Sequence, residues 1–172
     1  NLSPELSHIL EFGYSYFAEK ISGNLSPYYR HTNNVIQNFT GINDTTNVAY
    51  TTFENIGSND ALGLNAYGSV TPFKRWTVRG SANVFYIQQV GEFNNNKLFN
   101  DGVQYNFNLT SSLDFGKGYS AEFWGTINSK RVSLQGTVPS FSMMSVGGKK
   151  EIWKKQGSFG VNIFNPFQHY LK

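Results

Sequence analysis

At 172 residues the chain suits one domain or part of a larger one. It is 39% hydrophobic and 16% aromatic but only 15% charged, against roughly 25% in ordinary soluble domains. A net charge of +3, with scattered basic residues and no cysteine, argues against a nucleic-acid surface, a disulfide scaffold and a thiolate metal site. Mean hydropathy is −0.39, and no apolar run approaches the roughly 20 residues of a spanning helix.

The first residues, NLSPELSHILEFGYSY, contain neither an initiator Met nor a basic stretch leading into an apolar one, so the chain reads as a piece of a longer protein. Alternation begins at once. Leu10, Phe12, Tyr14, Tyr16 and Ala18 oppose Glu11, Gly13, Ser15 and Glu19, with Phe17 out of step. Successive side chains of a strand point to opposite faces, so this pattern predicts a strand with one apolar and one polar face. In 24–36, Leu25, Pro27 and Tyr29 oppose Ser26, Tyr28 and Arg30. Pro27 has no amide to donate, which predicts a weakened or bulged strand there. Leu62, Leu64, Ala66 and Val70 then oppose Asn65, Tyr67 and Ser69. Trp76, Val78, Ala82, Val84 and Tyr86 oppose Arg79, Ser81 and Asn83.

The clearest case is GVQYNFNLTSSLDFGKG, 102–118. Val103, Tyr105, Phe107, Leu109, Leu113 and Phe115 share one parity; Gln104, Asn106, Asn108, Thr110, Ser112 and Asp114 share the other. Tyr119, Ala121, Phe123 and Ile127 oppose Ser120, Glu122, Thr126 and Asn128, and Phe159, Val161 and Ile163 oppose Ser158 and Asn162. In 140–150 apolar residues fall on both parities and no face is assigned.

The connections alternate too. EKISGN (19–24), TPFKRW (71–76), FGKGY (115–119) and KKEIWKKQG (149–157) are short and carry lysine; GKG (116–118) and GGKK (147–150) read as turns. QNFTGINDTTN (37–47), QQVGEFNNNKLFND (88–101) and SKRVSLQGTVP (129–139) read as long polar loops. The result is an all-β, antiparallel up-and-down meander of about eight strands, each about 10 to 15 residues long, where soluble sheets have about 5 to 6. Membrane strands need about 9–11 residues. Trp76, Tyr105, Phe115, Tyr119 and Trp153 stand near strand ends, as an interfacial aromatic girdle does. Together these features point to part of a transmembrane barrel whose apolar face meets lipid. The rival is a soluble β-barrel or sandwich that binds a glycan or apolar ligand and buries Leu109 in a core.

Several stretches resemble the outer-membrane β-barrel family of Bacteroidota, whose members are TonB-dependent receptors or close relatives. NLSPELSHILEFGYSYF (1–17) resembles that family's Asn-Pro-x-Leu-x-Pro-Glu-x-Ser lead-in to a strand. YYRHTNNVI (28–36), TTFENIGSNDALGLNAYGSVTPFKRWTVRGSANVFY (51–86) and GVNIFNPF (160–167) resemble later strands in the same order. The resemblance implies a receptor barrel of about 22 strands filled by a plug. It implies TonB-driven uptake of a scarce nutrient such as a siderophore, cobalamin or glycan at the bacterial outer membrane. The expected partners are outer-membrane lipid, the rest of the barrel, the plug, TonB through that plug, and a surface lipoprotein. Residues 1–172 are then a partial barrel domain, without a plug domain or a terminal closing strand.

Arg30, Arg79, Asn83, Asp114 and Glu122 share the polar parity, and Phe85 and Trp124 are aromatic residues among them. They read either as a solute path or plug contact, or as a solvated interior network; the aromatic pair could stack on a sugar or pack on a plug. Asn94, Asn95 and Lys97 lie in a loop suited to ligand capture or rim shielding. His8, His31 and His169 lack metal-ligand spacing, no nucleophile or phosphate-loop motif occurs, and no cofactor or enzymatic activity is expected. The Asn38 and Asn108 glycosylation sequons carry no meaning under the bacterial reading that the resemblance implies.

Overall fold

A computed structural model describes residues 2–43, 45–93, 96–153 and 156–166. The described residues form strands β1 (Leu6–Glu11), β2 (Tyr14–Phe17), β3 (Ile21–Asn43), β4 (Val48–Phe73), β5 (Trp76–Phe93), β6 (Asn96–Gly116), β7 (Tyr119–Asn128), β8 (Arg131–Ser133), β9 (Gly136–Val138), β10 (Phe141–Ile152) and β11 (Gly157–Phe164). Nine of them make one sheet, ordered β1-β3-β4-β5-β6-β7-β10-β11 with β2 also on β3; β8 and β9 form a separate hairpin. Because β1 and β2 lie end to end along β3, the sheet is eight positions wide, as the turn spacing predicts. Every pairing is antiparallel.

The break between β1 and β2 follows from Pro27. In an antiparallel strand the N–H and C=O of one residue point to the same neighbour. The Pro27 carbonyl accepts from Phe12 N at 3.1 Å, so the amide that Pro27 lacks would face that same edge strand. β3 therefore runs unbroken through Pro27 and pairs it with Leu64. The interruption appears in the partner, at Phe12–Gly13. The bulge of β3 lies farther on, between Thr32 and Val35, where Asn34 takes φ 55°.

Two of the three expected long loops are strand instead. β3 and β4 stay paired up to Asn43 and Val48, and β5 and β6 up to Phe93 and Asn96. The strands reach 23, 26, 18 and 21 residues, well beyond the expected length. Their upper parts are rich in Asn, Thr and Gln, so polarity hid the pairing. GGKK also belongs to β10 rather than to a turn; Gly147 leaves room for the Asn162 side chain, whose Oδ1 would lie 1.9 Å from an added Cβ. The Gly-Lys-Gly turn is present, with φ 81°, 54° and 82° at 116–118.

The burial pattern is the reverse of a soluble sheet. On β6 the odd residues Val103, Tyr105, Phe107 and Leu109 are exposed, while Gln104 is buried and Asn106, Asn108 and Thr110 are half-buried. Leu109 is 45% exposed, Val161 54%, and no large side chain among the described residues is fully buried. A contiguous apolar face of this size is costly in water and is stable against hydrocarbon. The soluble alternative has no core into which Leu109 could go. β10 now has faces as well: Met144 and Val146 point outward beside Gly125 and Phe123, and Met143, Ser145 and Lys149 point inward.

The apolar belt has the height of a bilayer. On the outer face, Trp76 pairs with Leu113 and Tyr86 with Val103, ten residues higher. At about 3.3 Å per residue and about 45° of tilt, ten residues rise about 23 Å, close to the ~25 Å band of outer-membrane barrels. The spanning segments are therefore 21–29, 62–70, 76–86, 103–113 and their continuations in β7, β10 and β11. By the same arithmetic the 26 residues of β4 rise about 60 Å, so the β3–β4 and β5–β6 hairpins stand far above the bilayer. Phe115, Tyr119 and Trp153 join Trp76 near the short-turn rim. Tyr105 does not end a strand; it lies beneath an upper row formed by Tyr29 and Tyr86.

Candidate functional site: the inner wall

Register places all seven sequence-derived candidates on the inner face, and it separates them into groups. Asn83 sits at the centre of an amide row: Ser26, Asn65, Asn83, Asn106 and Asn128 are cross-strand neighbours from β3 to β7. Asn83 Nδ2 donates to Asn65 Oδ1 and, at 3.3 Å, to the Tyr28 hydroxyl. Asn106 donates to Asn128 at 2.6 Å, and Asn108 donates to Asn106 at 2.6 Å. Each amide has both a donor and an acceptor end, so such a row satisfies itself without net charge. Asn65, Asn106, Asn108 and Asn128 were legible as polar parity, but only register turns them into one network.

Phe85 lies one step above this row. With Tyr28 it packs over Gly63, where an added Cβ would fall 2.6 Å from Phe85 Cβ and 2.6 Å from Tyr28 Cζ. Arg79 and Trp124 flank Thr110 on successive strands. Arg79 is exposed and Trp124 is 36% exposed, which leaves both available to whatever fills the interior.

Asp114 and Glu122 come together at the short-turn end, lining with Arg75, Ser112 and Glu151 a polar pocket of about 620 Å³. Asp114 Oδ1 accepts the Gly116 amide at 2.6 Å, so part of its charge is used to hold the turn. Arg30 stands apart, between Ile9 and Ala61. Its Nε and the nearby Asn59 Oδ1 are buried without a hydrogen-bond partner. No group of three metal-ligating side chains occurs among the described residues.

Above the amide rows, the third predicted loop folds back as the β8–β9 hairpin and covers the wall. Leu134, 7% exposed, packs with Phe39 and Leu98, and Val132 lies against Gly102. The Leu134 amide donates to Gln37 Oε1 at 3.3 Å, Asn100 donates to Ser133 O at 2.7 Å, and Gln135 exchanges two bonds with the Thr40 backbone. The alternating Val132 and Leu134 in a polar stretch were the sequence signal for a docked hairpin. Lys97 sits on the outer face of β6 opposite Glu92, whereas Asn94, Asn95 and His169 lie outside the described residues.

A second polar assembly was missed because its members are distant in sequence. His31, Asp60, Gln88 and Asp101 share one outer-face row directly above Tyr29 and Tyr86, and His8 faces His31. His31 Nδ1 is 2.8 Å from Asp60 Oδ1, and its Nε2 is 3.0 Å from Asn33 Oδ1. Two oxygen acceptors on one ring favour the imidazolium: the Asp60 hydrogen bond first, then Asn33, raise the His31 pKa above 6.5. The Tyr29 hydroxyl and then His31 hold Asp60 below its ordinary value. Tyr86 donates to Asp101 at 2.6 Å. Both tyrosines thus turn an apolar ring toward the bilayer and a hydroxyl toward water.

The sequence model of the outer membrane protein beta-barrel family matches residues 1–172, and the chain belongs to that family. No curated protein matches the chain.

Proposed function

We propose that this outer-membrane barrel protein supplies wall strands to a TonB-dependent nutrient receptor. In this reading the amide-lined face packs against a plug and borders the solute path, and the tall hairpins meet the solute outside the cell. The observation that carries it is the inverted burial: uncharged amides are sequestered on the inner face while the aliphatic face is open. A neutral, self-bonded wall can contact a folded plug without burying unpaired charge. The sheet supports the same reading. Its two edges, β1/β2 and β11, pair with no other strand among the described residues, so both are free to take a further strand. The docked β8–β9 hairpin narrows the outer end, as suits a gated receptor more than an open pore.

A photo-crosslinking residue at Asn106, in the intact protein in its own outer membrane, tests this. The expected result is a crosslink to a plug segment, with no steady conductance when the protein is reconstituted in a planar bilayer. A stable open channel with no plug crosslink would overturn the receptor reading in favour of a simple porin.

A further inference from the structure

The lipid-facing side of the wall carries a groove that no part of the proposed transport function uses. It is an apolar depression of about 780 Å³ in the lower half of the spanning belt. Its floor is Ala66 and Gly68 of β4 beside Ala82 and Gly80 of β5, and Leu109 and Phe123 rise along one side. The floor is not bare because the backbone demands it. A Cβ on Gly68 would find its nearest neighbour at 4.0 Å, and one on Gly80 at 3.6 Å, both ordinary contacts. Neither glycine needs a left-handed φ. In contrast, Gly63 and Gly147 are filled from above by neighbouring side chains. The two groove glycines leave space that the fold itself does not occupy.

The lower end of the groove opens toward a positively charged rim. Lys20 precedes Ile21, which lines the groove, and Lys74 lies in the β4–β5 turn below it. Both are exposed, and neither makes an ion pair among the described residues. Lys150, three strands away on β10, is engaged elsewhere: its Nζ lies 3.4 Å from the centre of the Tyr119 ring and donates to Lys117 O at 2.6 Å. From Lys74 to Ala82 the strand covers about 26 Å, which rises about 19 Å at the usual tilt, the depth of one leaflet with its headgroups. Short turns of such barrels face the periplasm.

We propose that this groove seats a specific anionic phospholipid of the periplasmic leaflet, with an acyl chain over Ala66, Gly68, Gly80 and Ala82 and the phosphate between Lys20 and Lys74. The apolar floor supplies close contact along the chain, and the lysines select a net negative headgroup over a zwitterionic one.

The test is native mass spectrometry of the intact protein, extracted in mild detergent and exchanged into mixed phosphatidylglycerol and phosphatidylethanolamine. Wild type should retain phosphatidylglycerol in preference to phosphatidylethanolamine. Gly68→Leu and Gly80→Leu fill the floor and should each lower that retention at least tenfold. The double variant K20Q/K74Q should keep a lipid but lose the headgroup preference. Equal retention by the leucine variants, or an unchanged preference in the lysine variant, overturns the proposal. So does loss of an oligomer without loss of lipid, which would assign the groove to a second protein. Should the leucine variants fail to assemble, quenching of wild-type tryptophan fluorescence by brominated acyl chains decides. Trp76 lies beside the groove, so brominated phosphatidylglycerol must quench more than brominated phosphatidylethanolamine; equal quenching refutes the site.

Discussion

Leu109→Arg tests the lipid-facing assignment most directly. On the outer face of β6, Leu109 lies four residues above Leu113 and six below Val103, the partners of the lower and upper aromatic rows. At about 2.3 Å of rise per tilted residue it is about 9 Å above the lower boundary and within about 3 Å of the midplane. An arginine at that depth on a barrel exterior costs about 2–4 kcal/mol, a shift of about 30- to 1000-fold in the folding equilibrium. The control is Ser112→Arg, three residues away on the opposite face. There the guanidinium enters the polar pocket beside Asp114 and Glu122, and a change within about 0.5 kcal/mol is expected. The assay is reversible unfolding in denaturant of the intact protein from vesicles, followed by tryptophan emission. Equal costs for the two substitutions, or a larger one at Ser112, would refute the assignment of faces.

Leu134→Asp places a carboxylate among Phe39 and Leu98 and should release the β8–β9 hairpin, at a cost of about 2–4 kcal/mol to docking; trypsin should then cut after Lys130 and Arg131 while the barrel stays intact, and unchanged protection would show that the hairpin is held otherwise. Gly63→Leu drives a side chain into Tyr28 and Phe85, and overpacking of this kind costs about 1–3 kcal/mol; near-neutral stability in the same unfolding assay would mean that the rings move aside freely. The His31–Asp60 pair predicts a pH window. A raised histidine pKa gives stability that is complete below 6.5 and fades as pH climbs through the folded value, while a lowered aspartate pKa gives stability present above its ordinary value and lost in stronger acid. Stability relative to Asp60→Asn should therefore peak between the two titrations, and a difference independent of pH would remove the ion pair from the account.

Strand number, direction and faces were legible because the alternation from Val103 to Phe115 needs no tertiary context: a one-residue slip would turn every leucine inward. Strand length was not legible. In β3 above Thr32 and β5 above Tyr86 the outer face leaves the bilayer, so the hydrophobic contrast that marks a strand fades while pairing continues. Asn38 opposite Phe53 and Gln88 opposite Asp101 are ladder residues with loop-like chemistry. Pro27 was correctly singled out, but its effect fell on the neighbouring strand, which only the sheet order reveals. Asn83 and Phe85 were recoverable from parity. The rows that join Asn65 to Asn128, or His8 to Asp60, depend on register between segments tens of residues apart, and no local pattern encodes that.

The distribution of charge explains the composition. Hydrocarbon excludes fixed charge from the outer face between the aromatic rows, and that face is aliphatic, glycine and aromatic, with Ser111 among its few polar side chains. On the inner face a charge would need a partner, and the middle rows are built of Asn, Ser and Thr that bond to one another. Ionised groups are thereby displaced toward the ends. Asp114, Glu122, Glu151 and Arg75 gather at the short-turn end, and His31, Asp60 and Asp101 stand above the tyrosines. The low charged fraction and the high content of amides are two consequences of one arrangement, a wall with hydrocarbon on one side and a neutral hydrogen-bonded surface on the other. Glu11, Arg30 and Arg79 are exceptions on the inner wall. On the proposed receptor reading a plug should meet them, so an acidic plug residue within reach of Arg79 is the contact to seek first.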